Sequence, residues 1–178
     1  MEFAPHRTYS APVMLHLSPH HLKIALLQPE IAPNTGNIGR LCVATGTELH
    51  LIRPMGFVLS DKNLRRSGMD YWQRLNLTVH DDTASFMRHL LPSAGLWLFT
   101  SKGTQSLWET CFTENDYLIF GSETRGIDPA ILAQYPQRTV RIPQLPGERC
   151  LNLSTAAGIA AYEALRQIAK TTAAAQPT

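Results

Sequence analysis

DYLIFGSETRGIDPAILAQYPQRTVRIP, residues 116–143, is the stretch whose reading decides the fold. DYLIFG (116–121) is an apolar run stopped by glycine, the pattern of a buried strand. Asp128 and Pro129 follow, an N-cap and a first-turn proline, and DPAILAQY (128–135) reads as a short helix. TVRIP (139–143) then reads as a second strand. A helical crossover between strands is how parallel neighbours are joined, so the unit predicts a parallel sheet.

The same alternation extends in both directions. LKIALL (22–27), ELHLI (48–52), a weaker LTVH (77–80) and GLWLFTS (95–101) read as strands. NTGNIGRLCVAT (34–45), closed by Gly46, DTASFMRHL (82–90) and residues 152–169 read as helices. The predicted class is α/β, a mostly parallel sheet flanked by helices. Residues 1–20, with three prolines and no period, read as a loose extension, 21–170 as the domain, and 171–178 as a flexible tail.

Composition sets limits on function. Of 178 residues, 44% are hydrophobic and 17% charged, with a net charge of only +2, so any nucleic-acid surface is a local patch. Three cysteines at wide spacing (Cys42, Cys111 and Cys150) point to neither a disulfide framework nor a zinc motif. No metal site is expected, and the adjacent His20 and His21 read as surface residues. No run reaches the ~18 apolar residues of a membrane span. The first residues lack the apolar core of a secretory signal, and a cytoplasmic location is expected.

In parallel α/β sheets, ligands bind beyond the carboxyl ends of the strands. Four strand ends are rich in polar residues and glycine: QPEIAPNTGN (28–37), FTSKGTQS (99–106), FGSETRG (120–126) and IPQLPGERCLN (142–152). Ile38, Leu41, Cys42 and Thr45 form one helical stripe, and Arg40 falls almost opposite it. Such an arginine is either a solvated surface group or one aimed at an anion or a second subunit. Gly36 and Gly39 lack the full dinucleotide-binding glycine pattern, which speaks against an oxidoreductase. Glu123 and Arg125 could pair with each other or with other loops. DKNLRRSGMDYW (61–72) joins Lys62, Arg65 and Arg66 to Tyr71 and Trp72. It reads either as an RNA-binding segment of cations and stacking rings, or as a solvated face beside a core tryptophan. Lys102 adds a cation at a strand end. Asn152 can cap the last helix, whose stripe Leu153, Ala157, Ala160, Ala164 and Ile168 suits close packing in the core or in a dimer.

Three of these stretches, NTGNIGRLCVATG, FGSETRG and IPQLPGERCLNLSTAAG, in this order, resemble the three motifs of SpoU-type RNA 2'-O-ribose methyltransferases of the SPOUT class. Within that class the chain is most similar to the small bacterial enzymes acting on the wobble ribose of tRNA, through QPEIAPNTGNIGRLCVATG, RPMGF, DKNLRRSGMDY, TSKGT, FGSETRG and NLS. The resemblance spans about residues 22–168. It implies a C-terminal trefoil knot, S-adenosylmethionine (AdoMet) as methyl donor, a homodimer sharing its active sites, and leucine tRNAs (C34/U34) as substrate. Carried over by position, it implies cofactor contacts from Phe99, Thr100, Gly121, Glu123, Ile142, Cys150, Leu151 and Asn152. It also implies catalytic-motif roles for Asn34, Arg40, Glu123, Asn152 and Ser154, with Arg40 acting across the dimer. Where the family carries serine, this chain has Cys150. Two other readings remain: methylation of another tRNA position or of ribosomal RNA, and a non-catalytic RNA-binding dimer of the same fold.

Overall fold

The computed structural model describes residues 17–59, 70–90 and 93–174. Within them the chain forms β1 (Lys23–Leu27), α1 (Ala32–Thr45), β2 (Glu48–Ile52), β3 (Leu77–His80), α2 (Thr83–His89), β4 (Leu96–Phe99), β5 (Gln105–Ser106), β6 (Tyr117–Phe120), α3 (Pro129–Gln134), β7 (Thr139–Arg141) and α4 (Leu153–Ala174). Short 3-10 turns cover Asp70–Arg74 and Pro136–Arg138. The strands form one sheet in the order β3-β2-β1-β6-β4-β7-β5, and every pairing is parallel. All carboxyl ends therefore lie on one side, and the four polar loops emerge there together.

Strand alternation divides the core between the two faces of the sheet. Ile24, Leu26, Leu49, Leu51, Phe99, Leu118 and Phe120 pack with Ile38 and Cys42 of α1 and with Ala157, Ala160, Ala161 and Ala164 of α4. Ala25, Leu27, Ile52, Leu98, Tyr117 and Ile119 pack with Phe86 of α2 and with Ile127. The small stripe of α4 is thus a core stripe, and its alanines bring the helix close to α1. Desolvation inside this core pushes the Cys42 thiol up to about 12, so it stays protonated.

The predicted elements appear with shifted ends. α1 starts at Ala32 rather than Asn34 because Pro33 takes the first turn, and it ends as expected at left-handed Gly46 (φ 75°). α2 carries a capping box between Asp82 and Ser85, and Asp128 caps α3 through the Ala130 N–H at 2.8 Å. α4 runs to Ala174, past the expected end at 169, so the predicted tail is helical over 171–174. β5 was not expected, having only two polar residues and no alternation. Of the predicted extension, residues 17–20 are described and form no regular element. There, His20 Nε2 lies 2.9 Å from the Thr45 carbonyl, so this histidine anchors to α1 rather than being simple surface.

On the α2 face of the sheet, His50 Nδ1 faces His80 Nε2 at 3.0 Å, with ring planes 13° apart and centroids at 5.3 Å. His89 completes a trio of nitrogen ligands within 4.8 Å of one another. The 5.3 Å separation equals two imidazole radii and one hydrogen bond laid end to end. The facing nitrogens therefore aim at each other, as in a neutral donor–acceptor pair, and not at a common third point. Burial, with the neighbouring His80 and His89, pushes His50 down to about 3, and burial also lowers His80. His50 is neutral when folded and His80 is held toward its neutral form, whereas both take up protons when unfolded below their ordinary value near 6.5. Stability is fully present above that pH and falls on acidification, by about 1.4 kcal/mol per pH unit for His50, with His80 acting in the same direction. The melting temperature is expected to drop steadily between pH 7 and pH 5. The hydrogen-bonded carboxylates Asp82 and Glu163 are pulled below their usual range and act only at lower pH. A flat profile across the window would contradict the neutral pair.

Candidate active site

The three motif loops are tied together by one chain of hydrogen bonds. The carboxylate of Glu123, after β6, accepts from the N–H groups of Glu30 (2.7 Å) and Ile31 (3.2 Å) and from Asn34 Nδ2 (2.9 Å). Ile31 is the residue before α1 and offers no side-chain cap of its own. Glu123 therefore caps a helix more than 90 positions away in sequence, placing a negative charge at its positive end. Asn34, 5% exposed, then accepts from Asn152 Nδ2 at 3.0 Å. Asn152 Oδ1 accepts from the Ser154 backbone N–H (2.9 Å) and hydroxyl (2.8 Å), capping α4. Glu123, Asn34, Asn152 and Ser154 thus form one polar line across the carboxyl ends of the strands.

Glycine lets the loops meet. A Cβ on Gly121 would overlap the backbone of Gly126 and Ile127, and Gly126 itself sits at φ 70°. Ser122 and Gly126 close this tight turn as a bridge. Three partners not singled out from sequence complete it. Glu30 accepts from the Thr124 N–H (3.0 Å) and hydroxyl (2.8 Å). Gln28, with φ 52°, accepts from Arg125 Nη2 at 3.1 Å. Gly56, after β2, donates to the Pro29 carbonyl at 2.9 Å. Glu123 and Arg125 therefore pair with the loop after β1 and not with each other. The sequence signal for Gln28 and Glu30 is the polarity of QPE after a buried strand, and that for Gly56 is its place in RPMGF.

The other expected positions divide into groups. Thr100 N–H bonds the Val140 carbonyl at 2.9 Å, and Lys102 is exposed beside it. Phe99 is 8% exposed and stacks on Phe120 at 4.7 Å, so its side chain belongs to the core and only its backbone faces the loop side. Ile142 is half-buried, whereas Cys150 and Leu151 are exposed. Arg40 is exposed on the outer face of α1, as the helical period predicts, and takes no part in the hydrogen bonds of the Asn34–Glu123 line. Its guanidinium carbon stacks 5.1 Å over the Tyr71 ring. Tyr71 and Trp72 pack on α1, Tyr71 being buried and Trp72 lying against Gly39, so these rings are no open platform for RNA bases. Lys62, Arg65 and Arg66 lie outside the described residues.

The sequence profile of the SpoU rRNA Methylase family matches residues 21–162, which contain this entire line. The chain belongs to that family. Among relatives of this SpoU methylase, a protein of Saccharophagus degradans is 47% identical over 146 residues, 82% of this chain and 94% of the relative. A protein of Escherichia coli (strain K12) is 46% identical over 148 residues, 83% and 94% of the two chains. Both are named tRNA (cytidine(34)-2'-O)-methyltransferase. A solved structure concerned with 2-OH methylation of C/U34 on tRNA superposes with a TM-score of 0.79 at 47% identity, covering 84% of this chain and 97% of the other. An AdoMet-bound SpoU methyltransferase from Streptomyces viridochromogenes shares the fold, with a TM-score of 0.71 at 24% identity over 85% of this chain and 59% of that one. Among the described residues no helix is long and apolar enough to cross a membrane.

Proposed function

We propose that this SpoU methylase transfers a methyl group from AdoMet to the 2'-hydroxyl of the wobble ribose, C34 or U34, of leucine tRNAs. The observation that carries the reading is the hydrogen-bonded line Glu123–Asn34–Asn152–Ser154, which joins the three family motifs at one end of a parallel sheet. Relatives at 46–47% identity named for cytidine 34 of tRNA, and a solved structure concerned with C/U34, support the wobble position, and the restriction to leucine tRNAs rests on the motif resemblance alone.

The residues suit AdoMet. Ile142 is half-buried, and Leu151 keeps 38% of its surface exposed immediately before the Asn152 cap. Apolar side chains beside fixed backbone polar groups are what an adenosine face and edge require. Phe99, Thr100, Gly121, Glu123, Ile142, Cys150, Leu151 and Asn152 are the proposed contacts. When bound, AdoMet supplies a methyl group on a positively charged sulfur, an electrophile with a good leaving group. The 2'-oxygen forms its bond to the methyl carbon as the carbon–sulfur bond breaks, the electron pair stays on sulfur, and the hydroxyl proton is released. The protein's task is to position the oxygen and exclude water. A guanidinium is a poor base but a forked donor, so the role of Arg40 is to hold the 2'-oxygen or a neighbouring phosphate and stabilise developing negative charge.

That Arg40 takes no part in the hydrogen bonds of the Glu123–Asn152 line supports a homodimer in which Arg40 serves the partner's site. Ile159 (39% exposed) and Tyr162 (58% exposed) leave an apolar outer face on α4 for that contact. The position of β7 between β4 and β5, both laid down earlier in the chain, supports a C-terminal knot. Residues 21–170 form the methyltransferase domain in this reading, and Lys62, Arg65, Arg66 and Lys102 meet the tRNA backbone. No metal is assigned a role.

Labelled AdoMet, offered with tRNA or with ribosomal RNA, tests the substrate class. Transfer to tRNA is expected, and transfer to ribosomal RNA alone would overturn it. Because Cys150 is exposed and a thiol is a weak hydrogen-bonding group, its backbone is the part that matters. Cys150→Ser is expected to leave AdoMet affinity within a few-fold by calorimetry. A larger change would assign a role to the sulfur.

A further inference from the structure

We propose that Tyr71 is the positioning residue for Arg40, an inference that rests on the reading of Arg40 as the group meeting the ribose 2'-oxygen. Among the described residues none of the ion pairs involves Arg40. The contact that orients it is the Tyr71 ring, 5.1 Å from its guanidinium carbon.

That ring is fixed from both ends. Tyr71 is 6% exposed, and its hydroxyl donates to the Gly36 carbonyl at 2.7 Å. In an α-helix this carbonyl is also the acceptor for the backbone N–H of residue 40. The hydroxyl and the ring therefore hold the start and the end of the turn that carries Arg40. Next to it, Trp72 packs where a side chain on Gly39 would stand, since a Cβ there would lie 2.7 Å from the Trp72 ring. Gly39 lets the 3-10 turn Asp70–Arg74 seat against α1, and that seating, with the hydroxyl bond to the Gly36 carbonyl, fixes the plane of Tyr71.

The stack suits the proposed chemistry. A long exposed arginine samples many rotamers, and ordering it must be supplied at each binding event. An aromatic face removes much of that freedom while leaving the in-plane N–H donors available to an oxygen. Tyr71 therefore acts on the turnover step through Arg40 and does not itself touch substrate.

Steady-state methyl transfer to tRNA tests this with Tyr71→Phe, Tyr71→Leu, Arg40→Ala and the double variant Arg40→Ala/Tyr71→Leu. Tyr71→Leu is expected to lower kcat roughly five- to tenfold, the range of a cation–π contact, with KM for tRNA and AdoMet affinity within about twofold. Tyr71→Phe, which keeps the ring but loses the bond to the Gly36 carbonyl, is expected to fall between wild type and Tyr71→Leu. The double variant is expected to be no slower than Arg40→Ala, because Tyr71 has nothing left to position. Full kcat in Tyr71→Leu, or multiplied losses in the double variant, would overturn the proposal. Wild-type activity in Arg40→Ala would instead remove the role of Arg40, and the proposal with it. If Tyr71→Leu fails to fold, increasingly fluorinated phenylalanines at position 71 weaken the ring's negative face at nearly constant shape. kcat is then expected to fall stepwise with fluorination, and no change across the series would overturn the assignment.

Discussion

Arg40→Ala is expected to lower methyl transfer by about 10²- to 10³-fold, the usual loss when a charge-stabilising donor is removed from a reacting oxygen. Folding should be untouched, because Arg40 is exposed and its described contact is the face of Tyr71. AdoMet affinity should also stay within about twofold, since Arg40 takes no part in the hydrogen bonds of the Asn152 line. Arg40→Lys separates two roles. Lysine keeps the charge but loses the planar fork, so a substantial loss is expected if two N–H groups grip the oxygen or a phosphate together. Near-normal turnover with lysine would rule out the bidentate grip. Steady-state kinetics and a melting curve for each variant check these outcomes.

The second large effect belongs to Gly121. In Gly121→Ala the new methyl group would collide with the backbone of Gly126 and Ile127, which has no rotamer through which to give way. The turn must open, and the Ser122–Gly126 bridge and the seat of Glu123 open with it. A loss of about 3 kcal/mol or more is expected, at or beyond the upper end for overpacking, because the obstacle is main chain. Gly126→Ala offers a comparison. Nothing stands within 4 Å of its would-be Cβ, and only its φ of 70° is strained, so about 1–2 kcal/mol is expected. Denaturant melts give both values, and equal costs would show that crowding at Gly121 is not the governing feature.

These two residues also mark how far the sequence could be read. The glycine that ends DYLIFG signals a tight turn, and the period of NTGNIGRLCVAT places Arg40 on the outer face. Both follow from local pattern. What pattern cannot supply is the partner across the sheet. Glu123 meets Glu30, Ile31 and Asn34 only because β6 pairs with β1, and strand alternation is silent on strand order. For the same reason the matching roles of Glu30 and Gln28 were not legible, although both stand in a polar run after a buried strand. Beside their cations, Tyr71 and Trp72 leave two readings open in the sequence, an RNA platform or a solvated face with a core tryptophan. Gly39 opens a slot on α1 that Trp72 fills, and the Tyr71 hydroxyl bonds the Gly36 carbonyl beside it, so the core reading holds. Two-residue β5 carries no period to detect, and it is held by β7, its neighbour in the sheet.

The most direct measurement maps the methyl group by mass spectrometry on total tRNA, taken from a strain lacking this protein and incubated with the purified protein and AdoMet. The expected result is a single new 2'-O-methyl group on the wobble nucleotide of leucine tRNAs, absent with Arg40→Ala. A methyl group on a base, at another tRNA position, or on no tRNA despite AdoMet binding would contradict it.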